Sequence, residues 1–446
     1  MEKQRIFEDH HQKSLEEHSI KLLKDIDFCV FDLETTGGNH NHDKIIEIGL
    51  IKIQNLKIIE KKHFLINPEI KIPDFIQKLT SISQSDVETC PKIHEVINEI
   101  LDFMGNSVLV AHNTSFDVPF FNSVLKRLNL PIRKNRSICT NLMTKNLIPN
   151  LLNSNLNYMS RIFAIKHAKA HRALDDALAT AELLIHFLNI FIKKGITKVN
   201  HLYYPRNKFE LDKIHIKKQT PEDQIKKDLA EIKMPFLISI KGKDGVILFS
   251  IPCANSPQEQ SLLIDKLKTL DWEILTIKLF GTLYEAIVSF SSVFSKFKNE
   301  LKMEILDLLE KEFLQESAKE YPKDELKGKF LVIRHLIPEQ FIVYPLFSLH
   351  KKSGLIFRYP GHKKKLLQYV KSKHSKFKKN KHKKNGIDPQ IKNFLMNLIQ
   401  QNIGNPEKIL LFDGANLADS DDLLERLDSF SSVKMTSFNF PLEYIY

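Results

Sequence analysis

Asp32 and Glu34 stand two residues apart in Phe31-Asp32-Leu33-Glu34-Thr35-Thr36-Gly37, closing Asp27–Glu34, a β-branched and aromatic run that reads as a strand. Side chains alternate along a strand, so both carboxylates project from one face. Carboxylates sharing one face of a buried strand repel each other and resist desolvation unless a cation neutralises them, which is the chemistry of a metal site. Alone, the pair could as well point into solvent. Val110-Ala111-His112-Asn113-Thr114-Ser115-Phe116-Asp117 adds a third acid just after a strand and at the start of a helix. His171-Arg172-Ala173-Leu174-Asp175-Asp176-Ala177 adds a histidine and, five positions on, a fourth acid near another helix start. Taken singly, Asp117 and Asp176 would be plain acids at helix N-termini. Four acids and a histidine in this arrangement are hard to explain as capping.

The elements that must position these groups belong to one α/β unit, residues 25–195. Lys44–Gln54 and Lys57–Ile66 read as strands after the first, and Ser107–His112 as a short buried strand. Helical patterns lie at His94–Phe103, Asp117–Leu128 and Ala173–Ile192, with Pro68, Pro73 and Pro131 in the loops.

With these motifs in order, the chain resembles the DnaQ-like DEDDh 3′–5′ exonucleases, the family of the proofreading epsilon subunit of bacterial DNA polymerase III. The likeness runs through roughly residues 27–190 and includes the connectors Asp43-Lys44-Ile45-Ile46-Glu47-Ile48-Gly49, Ile66-Asn67-Pro68, Leu79–Val87 and Cys139-Thr140. It implies an RNase H-like α/β fold, a mixed sheet flanked by helices with the acids converging at one sheet edge. A second, smaller α/β domain follows.

The resemblance makes Asp32, Glu34, Asp117 and Asp176 the metal-binding carboxylates and His171 the general base. Two Mg²⁺ or Mn²⁺ ions about 3.5–4 Å apart suit an in-line phosphodiester displacement, and such hard ions take oxygen ligands. An imidazole with an ordinary pKa of about 6.5 is poised to take a proton from water near neutrality. His167 lacks the His-x-x-x-x-Asp spacing and reads as a loop residue, and Asp175 as an exposed neighbour of Asp176. The likeness also places Leu33, Thr35, Thr36, His112, Asn113 and Phe116 beside the terminal nucleotide, although His112 and Asn113 equally suit an ordinary strand-end turn.

The implied activity is metal-dependent 3′–5′ exonuclease action on DNA, releasing nucleoside 5′-monophosphates in replication proofreading or DNA repair. Single-stranded DNA 3′ ends are the expected substrate and a DNA polymerase an expected partner. The same chemistry on RNA is the alternative. A non-catalytic DNA-binding accessory to a polymerase is the reading from another class, and the intact acid set argues against it.

Composition bounds the rest. The 446 residues suggest two or three domains. An apolar share of 42% supports sizeable cores and excludes collagenous and wholly disordered chains. No apolar run exceeds four residues where a bilayer span needs about 20. The charged first 24 residues read as an N-terminal extension without a signal-peptide core, so a cytoplasmic protein with no membrane partner is expected. The four cysteines show no C-x-x-C spacing, against a zinc module or a disulfide scaffold. The net charge of +12 is concentrated: residues 351–384 carry fourteen cations and no acid.

Residues 196–232 read as a linker or bridging helix, and 233–360 as a second α/β domain. That domain opens with a Phe236–Ile240/Val246–Ile251 hairpin, continues through one long helical stretch from Leu283 to about Phe313, and has later strands at Phe330–Ile333, Phe341–Phe347 and Leu355–Tyr359. The segment 361–386 is lysine-rich, and 387–446 closes the chain as a C-terminal α/β segment. Lys363, Lys364, Lys365, Lys378, Lys379, Lys383 and Lys384 are read as a nucleic-acid tether acting by counterion release, against the blander reading of a solvated loop.

Overall fold

The computed structural model describes residues 21–203, 211–254, 256–315, 326, 328–379, 386–403, 405, 408–414 and 420–432. The chain divides into two compact units, the second beginning at Leu211. Among the described residues no helix is long and apolar enough to cross a membrane.

The first unit is a five-stranded mixed sheet in the order β3-β2-β1-β4-β5, made of β1 (Phe28–Thr35), β2 (Ile45–Gln54), β3 (Lys57–Leu65), β4 (Val108–Ala111) and β5 (Ser137–Cys139). The first three strands pair antiparallel, whereas β4 runs parallel to β1 and β5 parallel to β4. Helices α1 (Ile93–Met104) and α2 (Thr114–Arg127) cover one face. There Ile97, Ile100, Phe120 and Phe121 pack on Cys29, Phe31 and Leu33. The N-cap residue of α3 (Thr140–Leu147) is Cys139, the last residue of β5, and α4 (Leu156–Ile162) follows. Helix α5 (Ala173–Lys193) packs across β1 and β2. Its buried stripe starts with Ala173, Ala177, Thr180 and Ala181, side chains small enough to let a helix lie close to a sheet. The unit reaches past both expected boundaries: Leu23 is buried and its N–H donates to Thr197 O at 2.7 Å, and Val199 is fully buried.

The second unit holds two four-stranded antiparallel sheets. One has the order β6-β9-β7-β8, from β6 (Lys213–Lys217), β7 (Phe236–Lys241), β8 (Ile247–Cys253) and β9 (Ile274–Leu279). The other has the order β12-β11-β10-β13, from β10 (Lys329–Arg334), β11 (Gln340–Pro345), β12 (Leu355–Arg358) and β13 (Leu410–Asp413).

Three expectations for this half are corrected. The 196–232 segment is more than a linker or bridging helix, because β6 pairs with β9 and α6 (Glu222–Glu231) buries Ile225 and Leu229 in the unit's core. Lys-Ile-His-Ile-Lys is an edge strand, and edge strands keep charges on their outer face. After α7 (Pro257–Thr269), the stretch from Leu283 to Phe313 is two helices, α8 (Leu283–Phe294) and α9 (Asn299–Phe313). The Ser292 and Ser295 hydroxyls donate to the backbone oxygens of Ser289 and Ser292, a competition with the helix ladder that serines favour at ends. The lysine run, for which a solvated loop is the blander alternative to a tether, is helical over its first two-thirds: it forms α10 (Lys363–Lys378) and buries Leu366 and Val370. Helices α11 (Pro389–Gln401) and α12 (Ser420–Ser432) complete the unit. Lys383 and Lys384 lie outside the described residues.

Candidate active site

Along β1 the alternation sends Cys29, Phe31 and Leu33 into the core under α1 and α2. Asp32 and Glu34 therefore face the side on which α5 packs. The register sets Asp32 opposite Gly49 and Glu34 opposite Glu47 on β2, with an irregularity between Glu34 and Thr35. A Cβ on Gly49 would collide with the backbone of Ala173 and Leu174. Only glycine lets the first turn of α5, with Asp176 in it, rest directly on the strand.

Asp117 lies in the first turn of α2 and is buried, its carboxylate accepting the backbone N–H of Leu33. Asp176 is buried in the first turn of α5, and its Oδ2 accepts the His171 N–H at 3.1 Å. That bond holds His171, which is exposed, in the left-handed region at φ +61°. One donor atom from each of Glu34, His171 and Asp176 lies within 4.8 Å of the others.

The acids cannot all ionise without help. Burial, then the charges of Asp117, Asp176, Glu34 and Glu47, hold the Asp32 carboxyl well above the usual range. Burial and the neighbouring Asp176, Glu47 and Asp117 push Glu34 up to about 8, and burial, against two backbone hydrogen bonds, pushes Asp117 up to about 7. Such a cluster takes up either protons or cations. Its donors are carboxylate oxygens with one imidazole, which fits Mg²⁺ or Mn²⁺.

The family model described as Exonuclease (RNase_T) matches residues 29–184. Residues 29–184 are an exonuclease-family domain. Over 176 residues the chain is 42% identical to the DNA polymerase III PolC-type of Caldanaerobacter subterraneus subsp. tengcongensis, covering 40% of this chain and 12% of that protein. Over 185 residues it is 35% identical to the 3′-5′ exonuclease DinG of Staphylococcus aureus strain RF122, covering 42% of this chain and 21% of that protein. The chain thus spans 12% to 21% of the length of these curated relatives. A solved structure of Exonuclease X in complex with 5′ overhanging duplex DNA is 26% identical with a TM-score of 0.31, over 36% of this chain and 91% of that one.

Two supports of the exonuclease domain's site are not apparent from the motifs. Glu47 is fully buried, and its carboxylate accepts Arg172 Nη2 at 2.9 Å and the Ala173 N–H at 2.8 Å, with His63 Nε2 at 2.6 Å. Burial pushes its carboxyl upward, but the bonds from His63, Arg172 and Ala173 prevail and hold it below the ordinary value. A lone carboxylate in Ile45-Ile46-Glu47-Ile48 is the signal that could have found it, since glutamate is almost never buried unless paired. His167 is in a loop, as expected, but its side chain is only 7% exposed and its Nε2 meets Asp176 Oδ1. It orients the Asp176 carboxylate that His171 N–H holds from the other side.

The expected substrate-side residues of the exonuclease domain divide by what already occupies them. His112 Nε2 donates to Ser154 O at 2.8 Å and Nδ1 meets Thr140 Oγ1 at 2.9 Å, so its ring ties β4 to the loop before α4. Thr35 Oγ1 donates to Gly37 O at 2.7 Å, and Thr36 Oγ1 accepts the Lys44 N–H at 3.0 Å. Both hydroxyls brace the loop after β1. Asn113 is exposed at the N-cap of α2, and Phe116 is half-buried against Phe120 at 5.6 Å between ring centroids. Leu33 is buried and contributes its N–H to Asp117.

Proposed function

We propose that the exonuclease domain hydrolyses phosphodiester bonds from DNA 3′ ends and releases nucleoside 5′-monophosphates with divalent metal help. The observation that carries this reading is the convergence of Glu34, His171 and Asp176 within 4.8 Å, next to the protonation-prone Asp32 and Asp117. Asp32, Glu34, Asp117 and Asp176 would hold two Mg²⁺ or Mn²⁺ ions. Bound ions supply charge neutralisation at the phosphate and a more acidic water.

The remaining work falls to the chain. His171 is exposed, one residue before the N-cap of α5, where its imidazole is free to take a proton while its backbone stays fixed on Asp176. His167 and Glu47 hold Asp176 and the start of α5 in place. A role in proofreading or repair, with single-stranded 3′ ends as substrate and a DNA polymerase as partner, is supported by relatives named as a DNA polymerase III and a 3′-5′ exonuclease.

The test is to incubate the purified chain with 5′-labelled single-stranded DNA and RNA of one sequence, with Mg²⁺, Mn²⁺ or EDTA. The reading expects a ladder shortening from the 3′ end of DNA, abolished by EDTA and by Asp32→Ala. Preferential shortening of RNA would move the substrate to RNA, and intact DNA bound without cleavage would make the domain a scaffold.

A further inference from the structure

Helix α10 divides its side chains cleanly. Lys363, Leu366, Leu367, Val370, Lys373, His374 and Phe377 follow the i, i+3, i+4 spacing of a packed face, and each is buried or half-buried. Lys364, Lys365, Lys371, Lys376, Lys378 and Lys379 are exposed on the rest, and among the described residues none is paired with a carboxylate. The helix dipole disfavours cations in a first turn, yet Lys363, Lys364 and Lys365 occupy it. Packing accounts for the first face. Folding stability accounts for nothing on the second, where like charges repel over about 21 Å from Lys364 to Lys378.

Beside the C-terminal end of this helix lies a cavity of about 400 Å³ lined by Phe347, Phe377, Met396, Lys392, Asn393 and Asn397 among others. The Phe347 and Phe377 rings sit 4.5 Å apart between centroids, both half-buried, and make an aromatic wall. Facing them, α11 presents Lys392, Asn393 and Asn397, whose side chains have no hydrogen-bond partner among the described residues. The other side of α11 buries Ile391, Phe394, Leu395 and Leu398 in the core, so this polar row is not needed to fold the helix.

We propose that α10 and this cavity bind single-stranded nucleic acid, its phosphates along the exposed lysines and a base against the Phe347/Phe377 wall. Unpaired lysines attract phosphates by counterion release, aromatic side chains stack bases of any sequence, and free amides meet base edges. The choice of a polynucleotide among polyanions rests on the exonuclease reading.

The experiment is fluorescence anisotropy with the full chain in EDTA, using a labelled thymidine 20-mer, so that binding is read without turnover and stands or falls apart from nuclease activity. Lys364→Glu/Lys371→Glu/Lys378→Glu alters exposed positions only. It is expected to weaken binding at least tenfold at physiological salt and to flatten the log–log salt slope by about 2, at about 0.7 per phosphate contact. Phe377→Leu keeps an apolar side chain of similar bulk on the packed face, and Asn397→Ala changes a partly exposed amide. Each is expected to lower affinity several-fold for the thymidine strand and to leave an abasic strand of equal length unaffected. Unchanged affinity and slope in the lysine triple variant would overturn the proposal. Equal binding of abasic and thymidine strands would overturn the base pocket.

Discussion

Glu47 and Arg172 form a two-nitrogen ion pair across the first unit: Nη2 lies 2.9 Å and Nε 3.1 Å from Oε1. The acid is on the strand beside the catalytic candidates, and the arginine is the residue before the helix that carries Asp176. Removing the acid strands an arginine whose side chain is 25% exposed and frees the Ala173 N–H. Because the guanidinium keeps part of its hydration, Glu47→Ala is expected to cost about 2–3 kcal/mol, below the range for a fully buried pair. Chemical denaturation would measure it. A loss under 0.5 kcal/mol would show that the pair is ornamental.

Gly49 gives a sharper steric test. Gly49→Ala puts a methyl into the backbone of Ala173, which cannot yield as a side-chain tip would. The expected result is a loss of about 1–3 kcal/mol, together with weaker Mn²⁺ binding as Asp176 is displaced. A variant with wild-type Tm and metal affinity would mean that α5 does not depend on this contact.

The acid cluster makes stability depend on pH in a direction opposite to most carboxylates. Asp117 at about 7, Glu34 at about 8 and the raised Asp32 keep more protons folded than unfolded. Metal-free stability should therefore fall as pH rises from about 4, the ordinary carboxyl value, to about 8. Divalent ions should reverse the loss, raising Tm more at pH 8.5 than at pH 5.5, with proton release on binding between them. Thermal shifts with and without MnCl₂ would read this out. An equal gain at both pH values would contradict it.

The two histidines should separate by readout. His171 is exposed, so His171→Ala is expected to cut kcat by about 10²–10⁴-fold while stability stays within about 0.5 kcal/mol. His167 is packed against Asp176, so His167→Ala is expected to cost about 1–2 kcal/mol and to weaken metal binding. The reverse pattern would exchange the two assignments.

Much of the site is legible in the sequence. Asp32 and Glu34 share a face because strands have a period of two, and Asp117 and Asp176 sit in first helical turns where the motifs place them. Less legible is what holds them. Nothing local in Lys166-His167-Ala168 shows a ring turned onto an acid nine residues later. The second unit hides more. Lys213–Lys217 looks like linker because an edge strand shows only two isoleucines among charges, and α10 looks like a loop because Lys363 and Lys373 stand in its packed stripe, burying their stems there.

Local period and the family resemblance of the motifs were enough to propose the chemistry on offer, four carboxylates and a histidine, and to place the strand and helix ends that carry them. Tertiary structure alone decided that Glu47 would clamp Arg172, that Gly49 would admit α5 and that His167 would face Asp176. Local pattern is encoded residue by residue, whereas burial of a charge is set by partners up to 126 positions away, and only the packed chain brings those together.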